Sequence, residues 1–181
     1  MYLKKYFLIV FSLCIFFINI YAKNTTVQNG AKLTMLVTSA LAKEKDVPLS
    51  ELSIHVYKGD VSLCGFVNDK EKHATLRAMR NVEGVNQLYD DLILRSKIDK
   101  EKRNASLKQN VSDSWITTKV KQKLLVAENI SSTAISVETY KGNVLLCGYL
   151  DTEDMVNKSI KLAYQIKGVR FVINGLKVKL L

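Results

Sequence analysis

The side chains that most often catalyse reactions or bind metals are scarce in this sequence. It contains two His and three Cys among 181 residues, and none of them has the spacing of a zinc site. There is no phosphate-cradling glycine loop and no G-x-S-x-G motif. His55, His73 and the acidic pair Asp90-Asp91 have no partner pattern that would make a catalytic site. We therefore predict a protein that is not an enzyme, with no metal site and no cofactor.

The segment 113–125 has the pattern of an amphipathic helix with an unusual outward face. Three apolar residues recur at helical spacing and form its core stripe: Ile116, Val120 and Leu124. At 100° per residue, four residues fall in the opposite arc: Trp115, Thr118, Gln122 and Leu125. We expect Asp113 or Ser114 to cap this helix.

Lysines surround the two large apolar residues of that outward arc. These are Lys119, Lys121 and Lys123. Apolar anchors among lysines are typical of a helix that lies at a membrane interface, and a Trp ring suits the depth of the head groups. Each Lys near an anionic surface contributes roughly 1 kcal/mol, so this pattern predicts weak, salt-sensitive and reversible attachment.

Residues 1–22 have the layout of a secretory signal. Two lysines precede an apolar, uncharged run over residues 6–18, and Ala22 ends the segment before a polar stretch. The run is shorter than the roughly 20 apolar residues of a membrane span, so we expect cleavage after Ala22 rather than a retained anchor. Cys14 does not suit lipidation, because Leu13 stands where a small residue is expected.

The net charge indicates an anionic partner. Without the two lysines of the leader, the formal charge of +10 becomes +8. An exported basic protein seldom meets nucleic acid, and its abundant anionic partners are lipid head groups, cell-wall polymers and acidic proteins. The charge therefore predicts a partner among these three classes and no nucleic-acid partner.

The chain after the leader is one unit written twice. The segment 57–67, YKGDVSLCGFV, recurs at 140–150 as YKGNVLLCGYL. An apolar helical stripe recurs at the same offset, and Gly84-Val85 recurs as Gly168-Val169 after one inserted residue. Such self-similarity predicts two domains of the same fold. We place them at residues 31–94 and 112–181.

Each copy has the same predicted order of elements, helix–strand–strand–helix–strand. In the first copy we predict strands at 52–56, 61–67 and 85–94 and a second helix at 69–82. Lys58-Gly59 makes a tight hairpin that needs a positive φ at Gly59, and Gly84 suits the C′ position of the second helix. We predict an α+β fold, twice, with two helices covering one face of a three-stranded mixed sheet.

Cys64 and Cys147 occupy equivalent strand positions in the two copies. They are either two small buried residues, one in each core, or partners in a disulfide between the domains, which an oxidising periplasm allows. Equivalent sites in separate cores are usually too far apart to be bridged. We therefore expect two buried thiols.

The segment 95–111 between the copies is basic and polar and has no apolar periodicity. We predict an exposed linker, whose basic run is a solvated surface. In the first copy, Met35, Leu36 and Ala40 lie on the first predicted helix, which suggests a face for packing between the domains.

The duplicated pattern resembles the BON domain. The resemblance rests on the glycine after the first strand of each copy, the Leu-Cys-Gly of each second strand, and the Gly-Val after each second helix. It implies two tandem BON domains. The segment 113–125 is also similar to the first helix of the second domain in dual-BON lipid-binding proteins of the bacterial outer membrane. That resemblance implies that Trp115 and Leu125 contact bilayers rich in anionic phospholipid.

The same resemblance implies a location in the envelope. Because Cys14 lacks a lipidation motif, soluble periplasmic BON proteins that are induced by osmotic stress are the nearer model. We expect a periplasmic protein, peripherally associated with the outer membrane, that supports envelope integrity and binds phosphatidylglycerol or cardiolipin. Six residues form its predicted lipid-binding site: Trp115, Thr118, Lys119, Gln122, Lys123 and Leu125.

Two alternatives use the same helix differently. In one, Trp115 packs against the other domain or the linker and is not available to lipid. In the other, the exposed face binds an envelope protein, in a stress-related or chaperone-like role.

Overall fold

The computed structural model of the protein describes residues 30–102 and 112–180. The predicted signal segment, with its cleavage after Ala22, lies outside the described residues. So does the second part of the predicted linker, residues 103–111.

Domain 1 comprises two helices and a three-stranded sheet. Its elements are helix α1 (30–42), strand β1 (Ser53–Tyr57), strand β2 (Asp60–Val67), helix α2 (Asp69–Met79) and strand β3 (Gln87–Leu94). The strand order is β1-β2-β3. Strand β1 pairs antiparallel with β2 and β3 pairs parallel with it, because the short hairpin reverses the chain while α2 carries it back across the sheet.

Domain 2 repeats this order after the linker. Its elements are helix α4 (Asp113–Leu125), strand β4 (Ile135–Tyr140), strand β5 (Asn143–Leu150), helix α5 (Glu153–Tyr164) and strand β6 (Phe171–Val178). The strand order is β4-β5-β6, with one antiparallel and one parallel pairing. The predicted α+β fold, two repeats each with a mixed three-stranded sheet and two helices, is confirmed.

The β1–β2 turn has the predicted positive φ at Gly59, 91°. Lys58 also has a positive φ, 50°, because a two-residue turn that matches the twist of its strands is left-handed at both central positions. Lys141 and Gly142 have the same conformation in domain 2, with φ of 50° and 77°.

Helix α2 is shorter than predicted, ending at Met79 rather than Val82. It begins with a capping box in which Asn68 and Glu71 bond reciprocally to each other's backbone N–H groups. At its end, the Val82 N–H donates to the Met79 carbonyl. This three-residue spacing tightens the chain out of the helix before Gly84, whose φ is 85°.

Each domain has its own core between its helices and one face of its sheet. In domain 1, α1 contributes three buried residues to it: Leu33, Val37 and Leu41. In domain 2, the equivalent residues of α4 are also buried: Ile116, Val120 and Leu124. The apolar stripes predicted from sequence are therefore the core-facing sides of both helices.

The other faces of the two sheets pack against each other. A third apolar cluster lies between the domains and contains five buried residues: Cys64, Phe66, Ile98, Leu145 and Cys147. The central strand β5 is buried at all eight positions, and β2 at every position from 61 to 67. The molecule therefore has four layers, with helices outside and two sheets inside.

Cys64 and Cys147 form a disulfide across this interface, with their Cα atoms 6.5 Å apart. Our expectation of two separate buried thiols is wrong. The two side chains do not point into the helix-covered cores, because alternate residues of a strand face opposite sides of the sheet. They point instead at the shared face, where equivalent positions of the two repeats meet.

Polar and aromatic pairs extend the contact between the domains. The Lys177 ammonium lies 3.0 Å from the Asp91 carboxylate, and both side chains are largely buried. The rings of Tyr57 and Tyr149 pack with centroids 5.5 Å apart. The interface therefore combines one covalent bond with apolar, aromatic and ionic contacts.

The first part of the predicted linker is helical, not exposed coil. Helix α3 (Arg95–Lys102) follows β3 directly, and Ile98 is buried between the domains. Arg95 forms ion pairs with Glu51 and Glu71 of domain 1. These tertiary contacts stabilise a helix that its composition alone does not predict.

The prediction that α1 packs against the other domain through Met35 and Leu36 is also wrong. Met35 is 74% exposed and Leu36 is 43% exposed, so neither is buried against domain 2. The domains meet through their sheets, which leaves the outer face of α1 open.

Candidate functional site

Helix α4 is anchored by its N-terminus and by its buried stripe. Ser112, rather than the predicted Asp113 or Ser114, caps the helix: its hydroxyl accepts a hydrogen bond of 3.3 Å from the Trp115 N–H. Asp113 has a different role, since its carboxylate accepts hydrogen bonds from the backbone N–H groups of Lys141 and Gly142, at 2.6 and 2.8 Å. These contacts fix the start of α4 on the β4–β5 turn.

The outward face of α4 contains the predicted residues. Trp115 is 42% exposed and Leu125 is 68% exposed. The other four predicted site residues lie on the same helix. Lys123 is half-buried, and the remaining three are exposed: Thr118, Lys119 and Gln122. Val126, just beyond the helix, is 78% exposed and was not predicted. It extends the apolar end of the face.

Trp115 is not part of the apolar cluster between the domains, so the alternative in which it packs against the other domain is wrong. The alternative in which it packs against the linker concerns residues 103–111, which lie outside the described residues. The Lys119 ammonium lies 5.9 Å from the centroid of the indole ring, a cation–π distance. The same ammonium donates to the side-chain oxygen of Gln122 at 3.0 Å. The charge and the aromatic ring are therefore adjacent on the surface.

A shallow groove of about 330 Å³ runs beside the second half of α4. Leu124 and Leu125 line it from the helix, and Ile135 and Val137 line it from the edge strand β4. Lys121 stands at the same groove. An apolar floor with a lysine beside it continues the character of the exposed face.

Domain 1 has a different surface at the equivalent positions. Lys32 stands where domain 2 has Trp115, and Ala42 stands where it has Leu125. The exposed Met35 and Leu36 are apolar, but they correspond to Thr118 and Lys119 rather than to the anchors of α4.

No catalytic arrangement accompanies this face in the described part of the chain. The acidic pair noted in the sequence forms two ion pairs. The Asp90 carboxylate lies 2.8 Å from the Lys72 ammonium, and Asp91 pairs with Lys177. Among residues 30–102 and 112–180, no three His, Cys, Asp or Glu side chains group as metal ligands. Within the same ranges, no helix has the length and apolar character to cross a bilayer.

These observations define a duplicated α+β module whose candidate site is a helix surface rather than a cleft. The BON domain family model matches residues 29–96 and 112–179, so the chain belongs to the BON domain family. The resemblance noted from the sequence is therefore confirmed.

Three relatives share both halves of the chain. The outer membrane lipoprotein DolP of Haemophilus influenzae is 34% identical over 140 residues, which cover 75% of this chain and 68% of that protein. Osmotically-inducible protein Y of Escherichia coli is 28% identical over 152 residues, covering 83% and 73%. A 21 kDa hemolysin of Actinobacillus pleuropneumoniae is 31% identical over 135 residues, covering 71% and 64%.

Proposed function

We propose that this chain is a non-enzymatic, periplasmic protein that binds anionic phospholipid membranes through the outward face of α4 and supports envelope integrity. The exposed Trp115 beside Lys119 is the observation that carries the proposal. It has no counterpart in domain 1, where Lys32 holds that position. A feature confined to one of two repeats serves a purpose other than building the shared fold.

The geometry suits a helix lying in the plane of the head groups. Trp115 and Leu125 are ten residues apart, so they stand about 15 Å apart along the helix axis. Two apolar contacts at that spacing keep α4 parallel to the surface, and Lys119 and Lys121 then face phosphate groups. Burying Leu125 contributes about 1–2 kcal/mol, and each lysine adds about 1 kcal/mol.

The relatives support an envelope location. One is named an outer membrane lipoprotein, and another is named for induction by osmotic stress. We place this chain in the periplasm, peripherally associated with the outer membrane after cleavage at Ala22, with phosphatidylglycerol or cardiolipin as the lipid partner. No cofactor enters the proposal.

Vesicle sedimentation tests the proposal directly. The protein should bind vesicles of phosphatidylglycerol and phosphatidylcholine but not vesicles of phosphatidylcholine alone, and binding should weaken as salt screens the lysines. Trp115→Glu should weaken binding at least tenfold, because it replaces an apolar anchor with a charge that anionic lipid repels.

Met35→Glu is the matched control, since it places the same charge on an exposed apolar position of α1. It should leave most of the binding intact. If Trp115→Glu binds fully and Met35→Glu loses binding, the membrane contact lies on α1 of domain 1 and the proposal is wrong. Binding that is independent of lipid charge would favour a protein partner for this face, as in a chaperone-like factor.

A further inference from the structure

The hairpin turns of the two domains differ in what faces their backbone N–H groups. In domain 2, the two oxygens of Asp113 accept from Lys141 and Gly142. The domain 1 turn has the same left-handed backbone at Lys58 and Gly59. Adjacent N–H groups in this conformation form a concave site for an anion. Among the described residues, no group accepts from these two N–H groups of domain 1.

Gly30 is the reason for that difference. It is the first residue of α1 and stands where domain 2 has Asp113. A Cβ at Gly30 would meet no atom of the described residues within 4 Å, so among them nothing fills the space that a carboxylate fills in domain 2. Residues 23–29, which precede it in the sequence, contain no Asp or Glu.

A cavity of about 520 Å³ opens at this point. The turn residues Lys58 and Gly59 line one side, and Leu33 and Leu36 provide apolar surface. Lys32 also lines the cavity and brings a positive charge. The volume is much larger than a carboxylate needs, so an apolar group attached to the carboxylate also fits.

We propose that domain 1 binds the carboxylate of a separate molecule in this cavity, through the N–H groups of Lys58 and Gly59. The arrangement is the one in which Asp113 is held within domain 2. Lys32 adds attraction for the negative charge, and Leu33 and Leu36 contact an apolar stem. Glu83 also lines the cavity, and its charge disfavours a doubly charged phosphate more than a singly charged carboxylate.

Amide NMR of the 15N-labelled protein tests this site. Titration with acetate and with butyrate should give saturable shifts at the amides of Lys58 and Gly59, with butyrate binding severalfold tighter because of its apolar stem. Lys141 and Gly142 are internal controls and should not respond, since Asp113 already occupies them. Tighter binding of inorganic phosphate than of acetate would overturn the assignment to a carboxylate.

Gly30→Asp supplies the missing carboxylate within the chain and should weaken acetate binding at least tenfold. Gly30→Ala is the matched control, and it should keep the acetate response because it adds no acceptor. Asp113→Ala should open the second site, so that acetate shifts Lys141 and Gly142. Acetate shifts at Lys58 and Gly59 that survive Gly30→Asp unchanged would refute the proposal.

Two further arms sharpen the identity of the ligand. Glu83→Gln should strengthen acetate binding. Weaker acetate binding in this variant would contradict the argument that the Glu83 charge repels the anion.

A short peptide with a free C-terminus is compared with its amidated form. Binding lost on amidation supports a chain terminus as the source, and equal affinity for butyrate and the free peptide supports a small carboxylate. Equal binding of both peptide forms would contradict carboxylate recognition.

Discussion

The two domains agree where they build the fold and differ at the exposed start of their first helices. Domain 1 has Gly30 and Lys32 where domain 2 has Asp113 and Trp115. The core stripe on the opposite side of each helix is apolar in both. The difference therefore lies in surfaces and in a turn contact. Domain 1 has an open cavity beside its turn, whereas domain 2 has a closed turn and an exposed indole.

Breaking the bond between the domains gives the largest expected effect on stability. The double variant Cys64→Ala/Cys147→Ala removes a disulfide that joins residues 83 positions apart. Loss of that constraint on the unfolded chain should lower the free energy of unfolding by up to about 4 kcal/mol. Urea denaturation measures the change, and reductant added to the unchanged protein should reproduce it.

This experiment also tests whether the domains are separate units. Each has its own core, so vesicle binding through α4 should persist in the double variant at temperatures where it stays folded. An unchanged urea midpoint would contradict the stabilising role of the disulfide. Loss of vesicle binding in a folded double variant would show that α4 depends on the link between the domains.

Removing the turn contact of domain 2 gives the next effect. Asp113→Ala deletes two charge-assisted hydrogen bonds and should cost about 1–2 kcal/mol of stability. Asp113→Asn should cost less because it keeps one acceptor. Thermal or urea unfolding measures both variants.

The matched control for Asp113→Ala is Gly30→Ala at the equivalent position of domain 1. It removes no side-chain contact, and the added methyl group meets no atom of the described residues within 4 Å, so it should be neutral or slightly stabilising. Equal losses in the two alanine variants would mean that the Asp113 contact contributes nothing specific.

The sequence predicted the helix stripes and the hairpin turns because these depend on local patterns. Val61, Leu63 and Val67 of β2 lie in the core of domain 1, and Cys64 and Phe66 are apolar at the alternate positions of the same strand. An apolar run at both alternations is typical of a strand that is buried on both faces. That signal was present, and it indicates the second buried face without identifying what covers it.

Other features depended on contacts that no local pattern contains. Helix α3 has a single large apolar residue, Ile98, and ion pairs from Arg95 to two distant glutamates help to hold it. The capping role of Ser112 rather than Asp113 depends on the β4–β5 turn, which takes up the Asp113 carboxylate. The exposed side of α4 was predictable because a helix with one buried stripe must expose the opposite arc.

The smallest expected effect concerns pH and a pair of equivalent strand positions. His55 of β1 corresponds to Glu138 of β4, which accepts a hydrogen bond from Ser53 of the other domain. The His55 Nε2 atom is buried and has no hydrogen-bond partner within the described chain. Burial lowers the pKa of His55, because the protonated ring loses its hydration.

Since the pKa of His55 is lower in the folded protein than in the unfolded chain, the unfolded chain binds more protons below about pH 6.5. Stability should therefore fall as pH drops from about 6.5 towards the lower folded pKa, with a slope of at most about 1.4 kcal/mol per pH unit. His55→Gln should reduce this slope in urea unfolding between pH 5 and 7. If His55→Gln keeps the full slope, protonation of other groups accounts for the loss of stability in acid. The replacement of Glu138 by His55 at the equivalent position of domain 1 then has no effect on the pH dependence of stability.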